Sequence, residues 1–152
     1  MAEWKQSVLN SKQRIAVPIL THTGIEMSGK RVVDAVTDGR VHYEAIRLLS
    51  ENFPASACTV IMDLTVEAEA FGARIIFPED EVPSVVGRLV SDRESIDRLV
   101  VPTLDCARIP QYLLANSLAA NSLDKPVLAG CIGPFSLAGR LFDMSEIMMA
   151  MY

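Results

Sequence analysis

The run Cys58-Thr-Val-Ile-Met62 constrains this chain more than any other stretch. Its residues are apolar or β-branched without a break, which suits a parallel strand covered on both faces rather than one that alternates between core and water. Asp63 closes the run. The period then changes: Glu67 and Glu69 flank Ala68, and Phe71-Gly72 follow. In parallel α/β folds the carboxyl ends of the strands carry the chemistry. Asp63, Glu67 and Glu69 therefore stand near one functional edge.

Two further apolar runs predict strands, at residues 14–20 (RIAVPIL) and 126–132 (PVLAGCI), beside the central one at 57–62. Pro18 is awkward in the first, because proline donates nothing to a ladder. Between the runs the pattern is helical. Residues 3–10 form a short amphipathic helix. Ser28 caps a helix over 29–36, and Asp38 caps a longer one over 40–52 that Pro54 stops. In that longer helix Val41, Ala45, Leu48 and Leu49 make the inward stripe and His42 faces solvent. A short helix is expected over 66–71 and a brief strand over 74–77. Ser91 and Glu94 make a capping box. The helix over 109–123 turns Leu113, Leu114, Leu118 and Ala120 inward. Gly133-Pro134 turns the chain into a helix over 135–142. Asp143 caps a last helix rich in methionine: Met144, Met148, Met149 and Met151. The three strand ends, at Thr21, Asp63 and Gly133, are expected on one edge.

The chain has 152 residues, half of them hydrophobic, which predicts one domain over 1–152 with a real core. A net charge of -5 without a basic cluster argues against nucleic acid. No apolar run reaches the roughly 20 residues of a membrane span. The polar start MAEWKQSVLNSKQR is no signal peptide. Cys58, Cys106 and Cys131 are odd in number and widely spaced, which fits buried reduced thiols in the cytoplasm. They lack ligand spacing, so no metal site is expected in this chain. Three strands with intervening helices make a parallel α/β pattern that does not close, since a full (β/α)8 barrel usually takes about 250 residues.

Three segments carry a family resemblance. MDLTVEAEAFGARIIFPEDEVPSV at 62–85, PVLAGCIGPFSLAGRLF at 126–142 and RIAVPILTHTG at 14–24 resemble the strand-2 region, the G-P-F-[ST]-L-A segment and the first strand of uroporphyrinogen decarboxylase-like proteins. The resemblance implies the N-terminal part of a (β/α)8 TIM barrel. It implies either the decarboxylase or a methylcobamide-dependent methyltransferase. The decarboxylase holds its substrate's carboxylates with an arginine-rich loop after strand 1. Here that loop is THTGIEMSGKRV, with no arginine before Arg31. The EAEAFGA segment is closer to the methyltransferase branch. For that branch the resemblance implies a corrinoid protein as partner and a zinc whose His and Cys ligands lie in a later half of the barrel.

Asp63 is the candidate catalytic residue, orienting a substrate or a reacting group; a cap or loop hydrogen bond is the plainer role. Glu67 and Glu69 diverge by about 200° on a helix, so only one is expected to point inward, and Glu67 is favoured. His22, Glu67, Gly133 and Phe135 are the candidate substrate-binding residues. A structural hydrogen bond would also explain His22, and turn chemistry would also explain Gly133. Three functions compete: a corrinoid-dependent methyl transfer to a thiol or similar acceptor, a decarboxylation centred on Asp63, and a non-catalytic half-barrel that associates with a second copy or a missing half. The open edges and the methionine-rich end predict association in any of the three.

Overall fold

The computed structural model describes residues 2–150, with the side chains at 2, 21 and 150 left out. Met151 of the methionine-rich end lies outside it. Helix α1 (Ala2–Asn10) is followed by an extended segment, then α2 (Thr21–Met27), α3 (Val32–Thr37) and α4 (Gly39–Asn52). Strand β1 (Cys58–Thr59) leads into α5 (Val66–Ala70), the antiparallel pair β2 (Ile75–Ile76) and β3 (Ser84–Val85), and α6 (Arg93–Asp97). Helix α7 (Ile109–Ser122) returns the chain to β4 (Val127–Leu128). Helix α8 (Pro134–Ala138), a π-helical turn (Gly139–Asp143) and α9 (Met144–Ala150) end the described chain, with Asp143 at φ +112° between the last two.

Strands β1 and β4 pair in parallel, Cys58 with Val127 and Thr59 with Leu128. The expected crossover unit is therefore present, with α7 covering it. The expected strand over 57–62 is shorter than its apolar run: only Cys58 and Thr59 pair, and Ala57, Cys58, Val60 and Ile61 are buried while Met62 is 57% exposed at the carboxyl end. The first expected strand, 14–20, is not a ladder strand. It runs beside β1 in the same direction, with the amide of Ser56 donating to Ala16 O (3.1 Å) and Thr59 Oγ1 donating to Pro18 O (3.4 Å). Pro18 has no N–H to return, so the pairing stops at isolated bonds. The spatial order is thus residues 14–20, β1, β4. Only two residues of 126–132 pair, and Ala129 to Cys131 are exposed instead of buried because no strand among the described residues covers that edge.

Helix α4 is the pillar of the fold. Asp38 caps it as expected, its carboxylate accepting from Arg40 N at 2.7 Å. Its buried residues are Gly39, His42, Ala45 and Ile46, a stripe of spacing three and four. That stripe is rotated from the one built on Val41, Leu48 and Leu49, and His42 is fully buried instead of solvent-facing. Two glycines let neighbouring helices close on α4. A Cβ at Gly24 would lie 2.5 Å from Ala45 O, and one at Gly39 would lie 2.3 Å from Gln111 O. Lys125 Nζ closes the far end of α4, donating to Ser50 O (2.5 Å) and Phe53 O (2.9 Å), where free carbonyls gather.

Other local expectations shift. Residues 29–36 are not one helix: Ser28 ends α2, Gly29 turns with φ +66°, and α3 starts after Arg31. The capping box of α6 slides by one residue, to Asp92 and Ser95, because the Asp92 carboxylate reaches Ser95 N at 2.8 Å. In α7 the buried residues are Ala115 and Ala119, while Leu113 and Ala120 are exposed and Leu114 and Leu118 half-buried. Small residues face inward there because α4 approaches closely. Of the cysteines only Cys58 is buried; Cys106 is half-buried and Cys131 exposed. Asp143 does cap α9, accepting from Ser145 N at 2.9 Å.

Candidate functional site

The carboxyl end of β1 opens into the long connection between β1 and α7, and a buried ion-pair cluster sits at its base. Arg108, the residue before α7, is its centre. Its Nη1 donates to Asp63 Oδ2 at 2.5 Å and to Val36 O at 3.3 Å. Its Nη2 donates to Thr65 Oγ1 at 2.8 Å, and its Nε to Glu69 Oε2 at 2.5 Å. The Phe77 ring lies 4.7 Å beneath the guanidinium, a cation–π contact that tolerates burial. Burial works against the Arg108 charge, but the hydrogen bonds and charges of Asp63 and Glu69 outweigh it and raise its pKa.

Asp63 is enclosed. Its Oδ1 accepts from Thr65 N (2.8 Å) and Thr65 Oγ1 (2.6 Å), and its Oδ2 from Arg108 and from Tyr112 Oη (3.3 Å). Four donors occupy the roughly four lone-pair sites a carboxylate offers. Burial first, and then the Asp63 charge, push the Tyr112 phenol well above its ordinary range, so Tyr112 is a proton donor to Asp63. The His42 ring stands edge-on to Tyr112 at 4.9 Å, and its Nε2 accepts from Ile61 N at 2.8 Å. Burial lowers the His42 pKa to about 4 against the opposing pull of Asp63, so the ring is neutral.

Both glutamates of α5 are engaged, on opposite sides, so the expectation that only one would turn inward is corrected. Glu69 binds Arg108, whereas Glu67 Oε1 accepts from Ile132 N at 3.0 Å. That second bond ties α5 to the end of β4 and brings Glu67 beside Gly133. Gly133 and Phe135 are both exposed at this corner. His22 is exposed one cleft away. With Ile19, Leu20, Thr23, Met62 and Val82 it lines an open hollow of about 300 Å³. Thr21 starts α2 with its backbone; its side chain is outside the described set. Met62, next to Asp63, is the residue that the hollow shares with the end of β1, while Glu67 and Ile132 meet at the other corner.

Arg108 and Tyr112 are the residues that sequence reasoning missed. A signal existed: an arginine at a helix N-terminus opposes the helix dipole and calls for nearby carboxylates, and Tyr112 follows it by one turn. Zinc does not fit the residues present. Among the described residues no three His, Cys, Asp or Glu side chains converge on a point that could hold a metal ion. Cys58, Cys106 and Cys131 lie in different environments, and the one imidazole at the cluster has its Nε2 bonded to Ile61.

A parallel α/β segment with polar residues at its strand ends fits the first strands of a barrel, as it fits other parallel α/β folds. The comparisons with known proteins agree. A profile of the uroporphyrinogen decarboxylase (URO-D) family matches residues 13–152, and the chain belongs to that family. The methylcobamide:CoM methyltransferase MtbA of Methanosarcina mazei is 35% identical over 107 residues, 62% of this chain and 32% of that protein. A solved methyltransferase from Methanosarcina mazei superposes with a TM-score of 0.77 at 23% identity, over 91% of this chain and 43% of that one. The shape match establishes the fold as an incomplete (β/α)8 barrel. The chain spans about a third of its curated relative.

Proposed function

We propose that the chain is the N-terminal part of a corrinoid-dependent methyltransferase, one domain over 1–152, that serves methyl transfer between a methylcobamide protein and a thiol or similar acceptor in the cytoplasm. The identity with a methylcobamide:CoM methyltransferase carries this reading. The loop after the first extended segment supports it against decarboxylation of a polycarboxylate. Its first arginine, Arg31, pairs with Glu79 at 2.9 Å on the surface, and the segment Thr21 to Lys30 before it carries no arginine to gather substrate acids. Within this reading Asp63 orients the site, while His22, Glu67, Gly133 and Phe135 line the place where the acceptor sits. The residues of this chain do not supply the zinc that the family resemblance implies, so their part is to bind and orient.

A chimera tests the proposal. The chain replaces the matching segment of the Methanosarcina mazei methylcobamide:CoM methyltransferase, and methyl transfer from methylcobalamin to coenzyme M is followed by the loss of cobalt–carbon absorbance and by mass spectrometry of the thioether. Turnover by the folded chimera is expected. A folded chimera that transfers no methyl group, or that instead releases carbon dioxide from uroporphyrinogen, overturns it.

A further inference from the structure

The cluster at the end of β1 divides its carboxylates into two kinds. Asp63 has a side chain 1% exposed and four donors on its two oxygens. It cannot touch a ligand without dismantling the cluster. Glu69 is held by Arg108. Glu67 is half-buried, and only Oε1 is taken, by Ile132 N; Oε2 has no hydrogen-bond partner among the described residues. The guanidinium of Arg108 grips Thr65, two residues before Glu67, and Glu69, two residues after it, as well as Asp63. Helix α5 has five residues, far below the length at which a helix is stable by itself. Its position is therefore set by what holds its flanks.

We propose that Glu67 is the carboxylate that contacts the acceptor substrate, and that Arg108 is its positioning residue, with Asp63 as the buried anion that seats Arg108. The proposal rests on the methyltransferase reading and deepens it. It moves direct contact from Asp63 to Glu67 and names a residue, Arg108, that acts through α5. The free Oε2 belongs to a carboxylate whose other oxygen is bonded to Ile132 N, the residue before Gly133. A carboxylate oxygen there accepts a hydrogen bond from a donor on the acceptor, such as a thiol or an N–H group. Lysine at 108 keeps the charge but lacks the planar fork that reaches three partners at once.

The full 152-residue chain, labelled with 15N, tests the clamp without requiring turnover. The Ile132 amide donates to Glu67 Oε1, and its protection from hydrogen exchange reports that bond. Protection is expected in the wild type and lost in Glu67→Ala, Arg108→Met and Arg108→Lys. The lysine variant covers the case in which the methionine variant does not fold. Ile132 protection that survives unchanged in folded Arg108→Lys overturns the positioning role. In the chimera, Glu67→Gln and Arg108→Lys are each expected to lower kcat on the order of 100-fold, with melting temperature unchanged for Glu67→Gln. A Glu67→Gln rate indistinguishable from wild type overturns the contact role. A wild-type chimera without methyl transfer defeats the functional reading instead, and the Ile132 amide still decides the clamp.

Discussion

Replacing Gly39 by alanine sets two effects against each other. In a solvated helix the change stabilises by up to about 1 kcal/mol, because glycine is the poorer helix former. Here the new Cβ would lie 2.3 Å from Gln111 O, where ordinary contact begins at 3.4 Å. The overlap of about 1.1 Å is with backbone, so no side chain can rotate away. Helices α4 and α7 must separate, and their pairing is the most extensive in the molecule. Overpacking of this kind costs about 1–3 kcal/mol. Separation also stretches the 2.9 Å bond from Gly39 N to Gln111 Oε1, a loss of about 1 kcal/mol. The clash wins, with a net loss of about 2 kcal/mol. For a chain of this size that lowers Tm by roughly 4–8 °C. Urea and thermal unfolding by circular dichroism, at one fixed protein concentration, measure it. Gly130→Ala is the control, with open space and an ordinary φ, and should stay within about 0.5 kcal/mol of wild type. A Gly39→Ala chain as stable as wild type, with the same m value, would refute the close-approach argument.

Other outcomes follow from the same structure. His42 is neutral and buried with its pKa near 4, so the unfolded chain binds the proton more tightly. Stability is full above about pH 6.5 and falls as pH drops toward 4, by about 2 kcal/mol between pH 7 and 5; His42→Gln should flatten that slope in urea titrations. Asp63→Asn leaves Arg108 buried without its main counter-charge and should cost about 3–5 kcal/mol, read as a lowered urea midpoint; an unchanged midpoint would contradict the buried pair. After dialysis against a weak chelator, metal analysis should find the chain without stoichiometric zinc, and zinc held by Cys58, Cys106 or Cys131 would show the ligand argument wrong. Sedimentation at micromolar concentration should show association, since Met148, Met149, Val100 and Val101 are more than half exposed; a compact monomer would count against it.

The parts of the fold that follow from periodicity were legible. The apolar run before Asp63 is the buried strand, 126–132 supplies its parallel neighbour, and the α4 boundaries follow from Asp38 and Pro54. The failures share a cause, which is that pattern fixes spacing but not phase. The α4 stripe was placed about one residue off, so buried His42 looked like a surface residue. Leu113 looked like core because leucine usually is, yet a close helix pairing selects Ala115 and Ala119. At the site the three carboxylates were visible from their place after a strand. Their cation was not, because Arg108 comes 45 positions after Asp63 and reaches it only through the folded chain. Pro18 marked residues 14–20 as an irregular strand in advance, and there the missing N–H leaves isolated bonds in place of a ladder.

The Asp63–Arg108 bond joins a residue near the start of the long connection that carries α5, the β2–β3 pair and α6 to its last residue. Within that ring α5 is tied to the end of β4 through Glu67, and Leu89 N and Val90 N both donate to Leu141 O, so these parts belong to the scaffold. Helix α6 has no buried residue. Lengthening the chain there adds only about 0.6 kcal/mol per doubling in closure entropy, so the tip around α6 can be exchanged with β1, β4 and α7 left unaltered.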